Sequence, residues 1–315
     1  MINAYVRNGD TLDVFELSTD QRLPANTLWL DVFKPTDDER QWMSTYFQEE
    51  VPEEDDINEI EASARFYSDK DGLHITSLFP HRVGKEVRSV NVSFTLRDKL
   101  LITLREEDIG LLRLFRAYLR QGKMEGVDPV SLLVEMLILK VEYLSDLLED
   151  VYTVLDRAGQ EVFEAEELDD ILKLITMQED ANGKIRLSLL DTQRSLRFLT
   201  RNQRGRLDEE SRKEIKDMLA DVESLLPHTQ FLFDKINFLL DAAMGFTSLQ
   251  QNKIIKIFSV AAVVFLPPTL IASSYGMNFD FMPELHWHYG YPLAIALMFA
   301  SAIGTYFFFK RKGWL

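Results

Sequence analysis

The sequence predicts an α+β domain, then a long helix, then a two-helix membrane hairpin. Three observations carry that prediction. Short β-branched, partly alternating segments are confined to roughly the first third of the chain, as strands of a mixed domain would be. From there on apolar residues recur at helical spacing. Two apolar runs near the C-terminus, Ile254 to Tyr275 and Tyr291 to Phe309, are each close to the ~20 residues a helix needs to cross ~30 Å of hydrocarbon.

Residues 1–127 form the predicted α/β domain. TLWLDV (27–32), LHITSL (73–78), VNVSFTL (90–96) and LLITL (100–104) read as strands, and Asp98-Lys99 turns the last two into a hairpin. Thr36 with Glu39 is a capping box ahead of a helix ending near Phe47. Glu49, Glu50, Glu53, Glu54, Asp55 and Asp56 make an acidic loop, best read as a solvated charge run. A helix is expected from Glu107 to Arg120.

Residues 128–207 are predicted helical. Asp128-Pro129 supplies an N-cap followed by proline at the first helical position. Apolar residues keep helical spacing to about Val162. The acidic cluster Glu164, Glu166, Glu167, Asp169 and Asp170 falls at the junction with the next helix, which runs to about Phe198, with Gly205 closing the region.

Residues 208–253 are predicted to be a stalk helix continuous with the first membrane span, ~100 Å long in all at ~1.5 Å per residue. Leu219, Val222, Leu226, Thr229, Phe233, Ile236, Leu240, Ala243 and Thr247 follow three- and four-residue steps, a heptad seam. Pro227 interrupts it. A helix so long needs partners, and neighbouring copies around an axis would supply them. The chain has no internal repeat, so any pore symmetry must come from oligomerisation.

Residues 254–315 are the predicted hairpin: a span at 254–275, a connector at 276–290, a span at 291–309 and a basic tail at 310–315. Lys253 and Lys256 precede the first span, and Lys310, Arg311 and Lys312 follow the second. The connector carries only Asp280 and Glu284. This bias places both termini in the cytoplasm and the connector outside, with Trp287, Tyr289, Tyr291 and Trp314 in the interfacial belts. MINAYVRNGDTLDVFEL lacks the charged-then-apolar pattern of a cleaved signal, so the hairpin is expected to direct insertion.

Composition narrows the function classes. The chain has 315 residues, a formal net charge of −16 and no cysteine. Disulfides, thiolate metal sites and cysteine nucleophiles are excluded. The hairpin carries a net +2, which leaves −18 on the residues before it. Such a surface repels nucleic acid and attracts cations. No phosphate-binding glycine loop, GxGxxG, HExxH or GxSxG occurs. His286 and His288 flank Trp287, but two ligands are too few for a zinc site. Nothing specific supports an enzyme.

In the first span Asn252, Ser259, Thr269 and Ser273 lie near one face, in register with Ile255, Ala262 and Leu266. Such a stripe serves a narrow wet path or ordinary helix packing equally well. Pro267-Pro268 weakens backbone bonding in mid-span, where neighbouring helices or water compensate. Gly276-Met277-Asn278 follows where the helix leaves the membrane. Copies of Asn278 around an axis would present neutral amide oxygens to a hydrated ion. Mg²⁺ gives up its water reluctantly, so such a ring would hold it weakly enough for release, whereas a carboxylate ring would slow its exit.

The stretch FLPPTLIASSYGMNFDFMPELHWHYGYP, followed by a second span and a basic terminus, closely resembles the CorA family of magnesium transporters. YGMNF at the end of the first of two C-terminal spans is that family's signature, and Tyr275 to Phe279 match it in full. EIEASARFYSDKDGLHI, TLREED, DTQRSLRFL, DVESLLPH and NKIIKIFSV extend the likeness to the enterobacterial-type branch over essentially the whole chain. The resemblance implies a homopentameric funnel with a cytoplasmic αβα domain. It implies a bacterial inner-membrane channel for Mg²⁺, with Co²⁺ and Ni²⁺ also passed, gated by cytoplasmic Mg²⁺ and using no organic cofactor. Gly276, Met277 and Asn278 would form the outer filter. Asn252, Ile255, Phe258, Leu266, Thr269 and Ser273 would face the pore, Phe258 and Ser273 at places that vary in the family. Counting back without gaps from the filter, the family's interfacial aspartate falls on Asp217. Asp221 lies one turn on and Glu214 nearly one turn back. These three are either solvated face charges or a Mg²⁺ sensor. Two other readings stand beside this one: a Zn²⁺-transporting relative, and a membrane-anchored sensor or enzyme without transport.

Overall fold

The computed structural model describes the chain apart from residues 10, 49–50, 52–64, 122–127, 163–167, 204–206, 279–281 and 314–315. The acidic loop at 49–56, Gly205, the Glu164 to Glu167 part of the second acidic cluster, and Trp314 therefore lie outside the described residues. The chain divides into two compact units, Met1–Leu240 and Asp241–Leu315.

The first unit is built on one seven-stranded sheet. Its strands are β1 (Ile2–Asn8), β2 (Thr11–Leu17), β3 (Thr27–Phe33), β4 (Phe66–Ser68), β5 (Leu73–Val83), β6 (Glu86–Leu96) and β7 (Leu101–Arg105), in the order β2-β1-β3-β7-β6-β5-β4. Only β3 and β7, at the centre, pair parallel. Strand alternation sorts the side chains between two faces. Ile2, Ala4, Leu30, Val32, Ile102 and Leu104 point one way and bury Met43 of α1 (Asp37–Phe47). Tyr5, Trp29, Asp31 and Thr103 point the other way. There Trp29 stacks on Tyr5 at 4.1 Å and meets the edge of Phe115 at 5.5 Å. Phe115 belongs to α2 (Gly110–Arg120), and α3 (Pro129–Glu161) and α4 (Asp169–Asn202) complete that layer. The unit is thus a helix–sheet–helix sandwich.

Local signals account for most elements. The Thr36 hydroxyl accepts from Glu39 N at 3.3 Å, and Glu39 Oε2 accepts from Thr36 N at 2.8 Å, a complete capping box. Asp128 caps α3 through Val130 N and Ser131 N, with Pro129 behind it. The β6–β7 hairpin closes through Arg97 N to Leu100 O at 2.9 Å.

Three expectations need correction. The hairpin β1–β2 was not anticipated, although its turn holds Gly9 at φ +62, the left-handed conformation glycine adopts without a Cβ penalty. Helix α2 starts at Gly110 rather than at 107, because the backbone is still extended at Ile109 (φ −102°, ψ 126°). The heptad seam also shifts. In α5 (Glu209–Tyr275), Ile215, Met218, Val222, Thr229, Leu232, Ile236 and Leu239 are buried. Leu219, Leu226, Phe233 and Leu240 lie half-buried beside them. Within the first unit this seam packs on helices of the same chain. Asn182 of α4 donates to Thr229 O at 2.9 Å, Lys235 pairs with Asp156 of α3 at 3.2 Å, and Gly159 of α3 leaves room for Leu239.

The second unit holds the rest of α5, a short 3-10 turn (Pro283–His286) and α6 (Gly290–Arg311). Among the described residues, α5 and α6 are the two helices long and apolar enough to cross a membrane, by length and composition. Lys256 Nζ, near the start of the first apolar run, lies 3.5 Å from the carbonyl of Gly313 just past α6. That contact joins opposite ends of the two apolar runs, as an antiparallel hairpin requires.

Candidate functional site

The apolar part of α5 has two unlike sides. Val260 is buried, and Val264, Pro267, Ile271 and Tyr275 are half-buried. Asn252, Ile255, Phe258, Leu266, Thr269 and Ser273 are all exposed, Phe258 at 71% and Leu266 at 66%. At 3.6 residues per turn these six fall within about 120° of arc, centred well away from Val260. The structure therefore brings the six pore candidates to one open face. On α6 the covered positions are Gly290, Ala294, Ile295, Met298, Ser301, Ala302, Thr305 and Phe309, most of them small or slender. Helices in an apolar medium approach closely through such residues.

The polar groups on the open face differ in what they already bind. The Thr269 hydroxyl donates to Phe265 O at 2.7 Å, one turn back beside the two prolines. Ser274 does the same to Leu270 O at 2.9 Å. Ser273 and Asn252 make no side-chain hydrogen bond among the described residues. Helix α5 ends at Tyr275 through Gly276 N, which donates to Ala272 O at 3.0 Å and to Ser273 O at 3.2 Å. Met277 N donates to Ser274 O at 3.4 Å, and Met277 is half exposed. Asn278 follows, exposed, its amide without a partner among the described residues. This helix exit therefore satisfies its last carbonyls locally and leaves the neutral Asn278 amide open among the described residues. His286 and His288 sit beyond it, exposed, with His286 Nδ1 3.2 Å from Met282 O. No cluster of metal-binding side chains forms among the described residues.

The sensor candidates lie in the first unit. Asp217 and Asp221 are exposed on α5, off the packed seam. Glu214 is half-buried at the seam's border. Burial, and then the charge of Glu135 on α3, raises its carboxyl pKa above the usual 4.5. Glu135 is raised in the same sense, by burial first and then by Glu142. Sequence reading missed Glu135, because nothing in its local pattern tells that α3 carries it toward Glu214.

A family model described as CorA-like Mg²⁺ transporter protein matches residues 24–311. Curated relatives from Escherichia coli (strain K12) and Yersinia pestis, both named magnesium transport protein CorA, are 43% identical over 319 residues and covered in full, as is this chain. Among solved structures, the complete CorA magnesium transporter from Methanocaldococcus jannaschii superposes with a TM-score of 0.77 at 18% identity, covering 100% of this chain and 99% of that one.

Proposed function

The chain belongs to the CorA family of Mg²⁺ transporters, and from that premise we propose that it is a homopentameric Mg²⁺ uptake channel of the bacterial inner membrane. One observation carries the reading: an exposed stripe on an apolar helix that ends at Gly276-Met277-Asn278, where the exposed Asn278 amide has no partner among the described residues. An apolar helix with one open polar-dotted face is incomplete alone. Five copies around an axis would turn that face inward, line a path from Asn252 to Ser273, and close it with a ring of Asn278 amides. The ring is neutral, so it would hold hydrated Mg²⁺ through its waters. Co²⁺ and Ni²⁺, hydrated ions of like charge, are further expected cargo.

In this reading 254–275 lines the pore, 276–290 is external, 291–309 packs outside, and both termini are cytoplasmic, following the Lys and Arg bias. Residues 1–127 and 128–207 form the cytoplasmic body, and 208–253 the stalk. Moving a divalent ion through 100 mV is worth ~4.6 kcal/mol, an accumulation ratio on the order of 10³. The membrane potential thus suffices as driving force, and no catalytic step is assigned. A pore with that drive must close when the cytosol is replete. Mg²⁺ held between stalk carboxylates of adjacent copies, Asp217 and Asp221, would favour the closed state by differential affinity.

The test is flux. Purified protein in liposomes loaded with a fluorescent Mg²⁺ indicator should admit Mg²⁺ when an inside-negative potential is imposed. Absence of flux would leave a membrane-anchored sensor. Flux of Zn²⁺ but not of Mg²⁺ would move the chain to a zinc-transporting relative.

A further inference from the structure

We propose that the first unit carries an oxyanion site for a phosphate-bearing small molecule, in the cleft between α2 and the strands β1 and β2. The cleft has a volume of about 410 Å³, room for more than a single phosphate. Arg113, Arg116 and Arg120 line it from the helix side, and Asn3, Tyr5 and Gln121 complete its polar wall. Among the described residues no carboxylate lines the cleft, in a chain of net charge −16. Of the carboxylates across from Asn3, Glu16 on β2 is exposed and Asp31 on β3 is buried behind Arg116.

The arginines arise from spacing. Positions 113, 116 and 120 are three and four residues apart, so one face of α2 presents all of them. They are anchored unequally. Arg116 is held from behind by buried Asp31 at 3.1 Å and by Asp108 at 3.6 Å. Arg113 is paired with Asp108 at 3.1 Å. Arg120 is exposed and has no ion-pair partner among the described residues. Two acids thus orient the guanidinium groups without cancelling all three charges. Each guanidinium has five N–H donors, and those pairs leave several unused. Planar forks of this kind match phosphate oxygens two at a time.

Tyr5 adds a donor of fixed state. Burial, and then the charge of Asp31, pushes its pKa up to about 12, so the phenol keeps its proton at neutral pH. Its ring is locked by the stack on Trp29.

The experiment titrates the full-length protein in detergent with inorganic phosphate, and separately with ATP, in excess EDTA and at about 150 mM salt, where loose charge attraction is screened. Saturable binding near one ligand per chain is expected. Equal affinity for the two probes assigns a site for the phosphate group alone, and tighter ATP binding extends it to a nucleotide. Arg120→Ala removes no structural contact and should weaken binding about ten-fold or more. Arg120→Lys keeps the charge, loses the fork and should recover only part. No saturable binding of either probe up to about 10 mM would overturn the site. So would binding that Arg120→Ala leaves unchanged while the variant elutes as wild type.

Discussion

The polar groups of the two units are used in opposite ways. In the first unit the buried carboxylates gather partners from the same chain. Asp31, fully buried, accepts from Arg105, from Arg116 at 3.1 Å and from the Thr103 hydroxyl at 3.0 Å. Asp191 of α4 likewise gathers Arg65 at 2.9 Å, the Ser77 hydroxyl at 2.6 Å and Leu78 N at 2.8 Å, with Lys140 at 3.5 Å. In the second unit the candidate groups stand open: Asn252, Ser273 and Asn278 bind nothing among the described residues. Buried charge that is paired stabilises one arrangement of the chain, whereas an exposed amide on an apolar helix has meaning only beside another molecule or an ion. The same substitution should therefore damage folding in one unit and function in the other.

That contrast is broken or sharpened first at Asn278. Asn278→Ala should abolish Mg²⁺ flux in liposomes while leaving assembly and apparent melting temperature unchanged, because acceptors are lost and no packing is. Normal transport would remove the residue from the filter. Asp31→Ala should do the reverse. It strands Arg105 and Arg116 against a buried vacancy, a loss of about 3–5 kcal/mol, read as a fall in melting temperature by nearly the same amount with and without Mg²⁺. A variant as stable as wild type would mean the pair adds nothing to the sandwich.

A smaller effect is expected at the stalk carboxylates. The double variant Asp217→Asn/Asp221→Asn should conduct normally but need more internal Mg²⁺ to close, about five-fold more for a coupling of ordinary size. Patch recordings with the cytoplasmic face perfused would read this. An unchanged inhibition curve would dismiss both residues as sensors.

How far the sequence could be read follows the same divide. The hairpin was legible because lipid imposes length, apolarity and charge bias on contiguous residues, and contiguous signals survive in one dimension. Caps at Thr36 and Asp128 were legible for the same reason. The α5 seam was half legible. Val222, Thr229 and Ile236 are on it, but the intervening positions fall at Met218, Leu232 and Leu239 because α3 and α4 decide which side of the helix is covered. The β1–β2 hairpin was missed because TLDVFEL alternates weakly, with Val14 half-buried and Phe15 exposed. The Asp31 and Asp191 networks could not be read at all. Their partners are separated by tens of residues and meet only when the sheet and helices assemble. The candidate filter itself was read from its position after the span and from the family likeness, not from any pattern within three residues.

The finest discrimination concerns Glu214, which sits between the two behaviours: half-buried, where the first unit's Asp31 is fully buried, and facing a like charge, Glu135, instead of a cation. Its pKa is raised in the folded state, burial leading and Glu135 next. The native form therefore holds its proton to higher pH than the unfolded chain does. Between the unfolded value, 4.5, and the raised folded value, the native state binds more protons, so stability falls as pH climbs through that window. Glu214→Gln removes the penalty. In EDTA the variant should match wild type near pH 4.5 and melt higher at pH 7, by an amount within about 1 kcal/mol because solvent screens a half-exposed group. Adding Mg²⁺ at pH 7 should close the gap if the ion settles between Glu135 and Glu214, since it would replace the missing proton. A gap that Mg²⁺ leaves untouched would make the pair a simple electrostatic cost of packing α5 on α3, and would leave Asp217 and Asp221 as the carboxylates to test for sensing.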